Sequence, residues 1–188
     1  MTILITGVVL WAVIHLMPSA ARSIRDSLVA KIGETPYRGV FALAALGALA
    51  LIVVGWRSTP EEYLYVLPQW SRTAGLILMV VAFVLIGAAQ YPSGIKRFIR
   101  HPMLTGVVVW SISHLLTNGT TRALILFGGL GLWALIEMPL INAREGAYTR
   151  PHSLGFSQEL RGVFISAAFF AIAYYLHPYF AGVTPFPR

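Results

Sequence analysis

Arg100-His-Pro-Met-Leu-Thr-Gly106 and, six residues further on, Ser113-His-Leu-Leu-Thr-Asn-Gly119 set two histidines, a basic cluster and an Asn-Gly stop on a segment that otherwise reads as membrane-spanning. Polar groups at that depth are costly and mark a functional segment by default. Pro102 stands where a helix tolerates proline, in its first turn, with Lys96, Arg97 and Arg100 just before it. Asn118-Gly119 is expected to close the helix with a left-handed residue. His101 and His114 are thirteen residues apart, which on a helix means roughly 20 Å of rise and about 220° of rotation. They cannot both hold one small ion, so each needs a partner from elsewhere or a separate role.

Composition fixes the class. The 188 residues are 57% hydrophobic and 11% charged, against roughly 45–50% apolar and about 25% charged in a soluble domain. The chain reads as an all-α, polytopic integral membrane helical bundle. It has no cysteine, which excludes disulfides, thiolate metal sites and cysteine nucleophiles. The net charge of +7 is spread over the ends of apolar runs rather than gathered in one patch. The expected partner is therefore the lipid bilayer and not a nucleic acid.

In chain order, Thr2 to about Ala21 is apolar apart from His15 and is followed by Arg22 and Arg25. Because its positive charge follows the apolar run, we read it as a retained span and not a signal peptide. Residues 22–38 form an amphipathic connector that includes Gly33-Glu-Thr-Pro-Tyr-Arg-Gly39. Spans two and three run over Gly39–Trp56 and Thr73–Ala89, the fourth over His101–Asn118, the fifth over Arg122–Ile141 and the sixth over Arg161–His177. Six helices in one domain are expected. The connectors after spans one, three and five carry ten Lys or Arg (Arg22, Arg25, Lys31, Arg38, Lys96, Arg97, Arg100, Arg144, Arg150, Arg161). The other two carry three (Arg57, Arg72, Arg122). That bias places the odd connectors in the cytoplasm and both termini on the other side, as in a bacterial inner membrane.

His152 lies in a polar loop and His177 ends the sixth span, so both read as interfacial. His15 and His114 differ, because each lies inside an apolar helix where an unpartnered imidazole costs several kcal/mol. One reading is a neutral histidine bonded to a neighbouring Ser, Thr or carbonyl. The other is that two histidines on different helices ligate one iron, since imidazole is a common axial ligand of haem. Trp11 lies one turn before His15, and Trp110 and Ser111 about one turn before His114. Those residues suit a porphyrin wall or an ordinary helix contact equally. Glu137, inside the fifth span, is expected to pair with Arg144 or Arg100. Arg100, His101 and Asn118 form a candidate anion or polar site. No Ser-His-Asp set, phosphate loop or carboxylate pair is visible.

The combination of Gly-Glu-Thr-Pro-Tyr-Arg at 33–38 after a His-containing first helix, Arg-His-Pro-Met-Leu-Thr-Gly at 100–106 and Ser-His-Leu-Leu-Thr-Asn-Gly at 113–119 resembles the NnrU family of bacterial membrane proteins. These are relatives of plastid zeta-carotene isomerase. The resemblance covers the chain from the first helix to about Ala143 and is weak beyond it. It implies a single transmembrane domain over 1–188, a link to nitrite and nitric oxide metabolism in denitrification, and, from the isomerase branch, a haem b with two histidine axial ligands. Those ligands map onto His15 and His114, with His101 as a nearby non-ligand. The two lie at depths that differ by roughly 5–10 Å when counted from the cytoplasmic helix ends. His177 matches the depth of His114 at least as well and is the alternative partner.

The functional expectation is a haem-binding membrane protein acting on nitrogen oxides or isomerising an apolar polyene. An alternative is a non-catalytic assembly factor or subunit that partners nitrogen-oxide reductase components. Arg-His-Pro-x-x-x-Gly also looks like part of the isoprenylcysteine carboxyl methyltransferase motif. That family has Tyr where this chain has Leu104, and its C-terminal Asn-Pro and Glu/Tyr pattern is not found here.

Overall fold

The computed structural model describes residues 1–152 and 155–185, and these form helices joined by loops, with one isolated bridge between Tyr63 and Thr120. The helices are α1 (Thr2–Ala20), α2 (Arg22–Ile32), α3 (Glu34–Ser58), α4 (Gln69–Ala89), α5 (Pro102–Leu115), α6 (Thr121–Glu145) and α7 (Phe156–Ala181). All but α2 and α5 are long and apolar enough to cross a bilayer. The fold is thus the expected membrane bundle, with five full-length helices and a shorter sixth.

The short helix is α5. Its 14 residues rise only about 21 Å, less than the roughly 30 Å of a hydrocarbon core. A 3₁₀ turn at Gly94–Arg97 leads towards it, and the chain leaves it through the irregular stretch 116–120. Irregular backbone at membrane depth must be covered by protein. Here the 59–68 loop folds back over it: the Leu64 N–H donates to the Gly119 carbonyl at 2.8 Å and the Thr121 N–H to the Glu62 carbonyl at 2.8 Å. The Tyr65 hydroxyl donates to the Leu115 carbonyl at 2.6 Å, and desolvation raises the pKa of that phenol, so it remains a donor at neutral pH. Asn118 does not provide a left-handed stop, because positive φ is confined to Gly33, Gly146 and Gly182 among the described residues. Its amide instead donates to the His114 carbonyl at 3.0 Å, which satisfies an orphan acceptor of the last turn.

In lipid no hydrophobic force draws helices together, so close packing and hydrogen bonds must hold them. Glycines allow that approach. A Cβ at Gly7 would stand 2.7 Å from the Ile52 nitrogen, and one at Gly55 would strike the Leu4 backbone, so α1 and α3 are in backbone contact. In the α4–α5 contact Gly75 meets Ser113, whose hydroxyl donates to the Gly75 carbonyl at 2.7 Å. Gly131 of α6 lies against Ser111 of α5, and Gly87 of α4 against Ser166 of α7. The neighbour order is thus α3, α1, α6, α5, α4, α7. At the far end α7 meets α3 as well, where Trp56 Nε1 donates to the Ala181 carbonyl at 3.1 Å and Arg57 to that of Tyr179 at 2.8 Å. Outward positions such as Val40, Leu43 and Leu46 remain exposed and apolar, as a lipid-facing surface requires.

Several expected boundaries move: the 73–89 span starts at Gln69, the fourth ends at Leu115, the fifth runs on to Glu145 and the sixth starts at Phe156. The third helix begins at Glu34, not Gly39, since Pro36 sits in its first turns where proline is tolerated. The last helix does not end at His177 but passes through Pro178 to Ala181 and stops at Gly182, which takes the left-handed conformation.

Gly55→Ala should destabilise the bundle by about 1–3 kcal/mol through overpacking. Gly47→Ala, where an added Cβ meets nothing within 4 Å, should be neutral or stabilising by helix propensity. Thermal unfolding in detergent checks both. Equal midpoints for the two variants would reject the close-contact account.

Candidate functional site

The end of the bundle where α1, α4 and α6 finish and α5 begins carries the concentrated basic residues, and a cavity of about 410 Å³ opens there. Lys96, Arg100 and His101 line it, together with Met103, Leu104, Ile141 and Trp133, and His15 and Glu137. Arg100 is tied down by its terminal nitrogens, to the Gly146 carbonyl at 2.8 Å and to Glu145 at 3.5 Å, and lies over the Tyr148 ring at 5.2 Å. Its Nε is buried without a partner. Lys96 Nζ donates to the Ala89 carbonyl at 2.9 Å, and His101 Nε2 meets Asn142 Oδ1 at 2.9 Å.

Glu137 is buried at 5% exposure and has no direct cation. Ser19 donates to Glu137 Oε1 at 2.8 Å, and Arg144 donates to the Ser19 oxygen at 3.1 Å. The expected direct pairing with Arg144 or Arg100 is therefore replaced by a one-hydroxyl relay. The physical reason is spacing: seven residues along α6 separate Glu137 from Arg144 by about 10 Å, and Ser19 from α1 fills the gap. Glu137 Oε2 and, one turn earlier, Trp133 Nε1 remain buried and unpartnered.

His15 and His114 repeat one device. His15 Nδ1 donates to the Trp11 carbonyl at 2.8 Å and His114 Nδ1 to the Trp110 carbonyl at 3.0 Å. A carbonyl can only accept, so each neutral ring carries its proton on Nδ1 and leaves the Nε2 lone pair available. The reading of a histidine satisfied by a neighbouring carbonyl holds for both, and it leaves each ring a ligand-competent nitrogen. Trp11 stacks on His15 at 4.1 Å, with Trp133 and Phe41 edge-on at 5.2 and 5.4 Å. Phe127, within the π-helical turn Leu124–Gly128 of α6, stacks on His114 at 4.1 Å, and Trp110 lies at 4.6 Å. Ser111 is turned away from this cage, against Gly131, and its hydroxyl is unpartnered.

His15 and His114 sit against different aromatic neighbours, Trp11, Phe41 and Trp133 for the first and Trp110 and Phe127 for the second. His15 shares the cavity with Leu104, ten residues before His114 on α5, or roughly 15 Å along the axis. Their aromatic neighbours on α6, Trp133 and Phe127, are six residues apart, or roughly 9 Å. His177 Nδ1 donates to the Val183 carbonyl at 2.7 Å, so its Nε2 is likewise open. As donors, these imidazoles fit the axial positions of a haem. Among the described residues no group of three or more His, Asp or Glu gathers as for a protein-only metal site.

A family model described as NnrU protein matches residues 3–185. The chain belongs to the NnrU family. No curated protein and no solved structure matches it. The NnrU match includes the C-terminal third, where the sequence resemblance was weak, and so takes in α7 and His177. Of the candidate anion site in this NnrU chain, Arg100 and His101 share the cavity, whereas Asn118 stands at the opposite end of α5 as a cap. His152 is exposed in its loop, as expected. Ser19, Asn142, Trp133 and Phe127 were not singled out from sequence. Ser19 and Asn142 carried a signal, as polar residues in the last turns of apolar runs, but their partners lie on other helices.

Ser19→Ala breaks the relay and leaves a buried carboxylate unmet, which should cost about 1–3 kcal/mol. Ser111→Ala removes a hydroxyl that has no partner and should be near neutral. Thermal unfolding of the two variants checks this, and a silent Ser19→Ala would reject the relay.

Proposed function

We propose that this NnrU protein is a haem b-binding membrane protein in which His114 is one axial ligand. The observation that supports this reading is the shared tautomer: His15, His114 and His177 each donate Nδ1–H to a backbone carbonyl and keep Nε2 open. Second-shell bonds of this kind orient histidine ligands and fix which nitrogen meets a metal. The apolar rings of Phe127 and Trp110 exclude water around His114.

For the second ligand, the resemblance to the isomerase branch favours His15, and His177, whose Nε2 is likewise open, is the alternative. When bound, a haem with two imidazole ligands supplies one-electron transfer. Within that reading the chain's own residues have defined tasks: the carbonyls of Trp110 and residue 183 hold the imidazole protons, and the aromatic cage keeps the rings in place. Action in nitrite and nitric oxide metabolism, or isomerisation of an apolar polyene, are the physiological roles we attach to such a protein. The bacterial inner membrane, with both termini outside the cytoplasm, is the proposed setting.

The test is the absorption spectrum of protein purified from cells supplied with haem. A low-spin Soret spectrum is expected for the wild type, lost in His114→Ala and retained in His101→Ala and His152→Ala. If His177 is the second ligand, His177→Ala should abolish low-spin character and His15→Ala preserve it; the reverse assigns His15. A wild-type protein with no Soret band sinks the haem reading and leaves the non-catalytic assembly factor in its place.

A further inference from the structure

The helix that joins the first two spans contributes nothing to the core. α1 and α3 run antiparallel, with Leu4 against Gly55 and Gly7 against Ile52, so Ala20 and Glu34 come out at one end of the bundle and α2 connects them there. α2 is a helix of its own: the chain breaks at Ala21, and at Gly33 it turns through a positive φ of 85° that glycine tolerates. None of its 11 residues is buried. Such a helix rises about 16 Å, roughly half of a hydrocarbon core, and does not span.

Its side chains sort into three directions. Ile24, Leu28 and Ile32 follow at intervals of four, which places them within an arc of about 80°, and they are 55%, 38% and 44% exposed. Arg25 and Val29 are half-buried and mark the side that meets the bundle, where Arg25 lies over the Tyr37 ring at 5.6 Å and pairs with Glu34 at 3.5 Å. That side lies about 80° round the helix from Leu28. α2 thus rests one flank on the bundle and turns its apolar stripe at nearly a right angle to that flank, as a helix lying flat beside the bundle foot would. Ser23, Asp26 and Ala30 occupy the far side and are exposed. Charge then selects the partner. Asp26 and Glu34 are taken up by Arg25 and Arg38, whereas Arg22 and Lys31 are exposed and in no ion pair among the described residues. Lys31 stands about 60° from Leu28, at the edge of the stripe, where its stem can follow apolar surface and carry the ammonium to a phosphate. A second copy of the same helix would only add two more unpaired cations to the contact. An apolar stripe edged by free cations, between two spans, suits an anionic bilayer surface.

We infer that α2 is an interfacial helix that lies in the plane of the bilayer surface and recruits anionic phospholipid. Ile24, Leu28 and Ile32 sink among the upper acyl carbons, and Arg22 and Lys31 meet the lipid phosphates. This surface owes nothing to haem at His114; it depends only on the membrane placement of α1 and α3.

Because the chain has no cysteine, a bimane fluorophore can be attached at Leu28→Cys on the stripe or at Ala30→Cys on the far side. The full chain is reconstituted in vesicles of phosphatidylcholine and phosphatidylglycerol, with one lipid or the other carrying brominated acyl chains as a contact quencher. Bromine should quench the fluorophore at Leu28→Cys, and aqueous iodide the one at Ala30→Cys. Brominated phosphatidylglycerol should quench Leu28→Cys more strongly than brominated phosphatidylcholine. Adding Lys31→Gln should cut that ratio by about fivefold, the effect of one cation near an anionic surface, and Lys31→Arg should restore it. High salt should lower the ratio too. Ile32→Cys supplies a second position on the stripe if Leu28→Cys fails to insert. Iodide quenching at both positions with bromine quenching at neither would show α2 standing off the bilayer and overturn the inference. So would equal quenching by the two lipids or indifference to Lys31→Gln, either of which leaves apolar contact without head-group recognition. Disulfide-linked dimers of unlabelled Leu28→Cys in the vesicles would overturn it as well, by assigning the stripe to a second copy.

Discussion

Inside a bilayer a polar atom has no water to fall back on, and each must be met by protein or by something the protein binds. That constraint organises this molecule more than any apolar contact, because lipid solvates leucine as well as another helix does. It explains why the closest helix contacts pair a glycine with a backbone or a small hydroxyl: Gly55 with Leu4, Gly75 with Ser113, Gly131 with Ser111. It also explains the folded 59–68 loop, which covers the irregular exit of α5 through Tyr65, Leu64 and the Glu62 carbonyl. Among the described residues seven buried side-chain atoms leave the constraint unmet, and three of them, Glu137 Oε2, Trp133 Nε1 and Arg100 Nε, belong to residues that line one cavity.

Charges follow the same logic at both ends. Arg122 sits over the Trp56 ring at 4.3 Å, donates to the Thr59 carbonyl at 3.0 Å and pairs with Glu61. These contacts use a buried cation to close a loop. Arg144 and Arg100, by contrast, share Glu145 and leave a surplus of positive charge beside open volume. A planar guanidinium suits both tasks, since it can stack, fork and stay ionised. The difference in what surrounds it separates a structural cation from one that can take a ligand.

The class and the count of apolar runs were legible in the sequence because length and hydropathy alone determine them. Helix ends were less so. Gly39 looked like a start, yet Pro36 and Glu34 already satisfy the first turn of α3. Asn118-Gly119 looked like a left-handed stop, yet the last-turn carbonyls of α5 are met by the Tyr65 hydroxyl at Leu115 and the Asn118 amide at His114. His177 looked terminal, yet Pro178 is carried within the helix to Ala181. For the site, the histidines and Arg100 could be named from residue type, because an ionisable group in an apolar run is conspicuous. Their partners could not. Ser19 reaches Glu137 from a helix 118 residues away, and Phe127 meets His114 from within a π turn that no local pattern announced.

The depth of a residue along a tilted rod was the quantity the sequence carried least well, and it governs the chemistry here. Counted from helix ends, His15 and His114 differ by an amount that a tilted porphyrin can absorb. In the bundle α6 passes between them as a ruler, with Trp133 at the level of one and Phe127 at the level of the other. α5 then has two distinct ends: a basic end, where it opens into a cavity with His101 and His15, and a far end, where His114 packs against Phe127 and Trp110. A helix of only 14 residues can do this because both of its termini are built into irregular backbone held by hydrogen bonds. Lengthening α5 to span the membrane unaided would remove the turns that hold Lys96 and Arg100 at one end and Asn118 under His114 at the other. The two motifs that flank it in sequence, 100–106 and 113–119, thus mark its two ends.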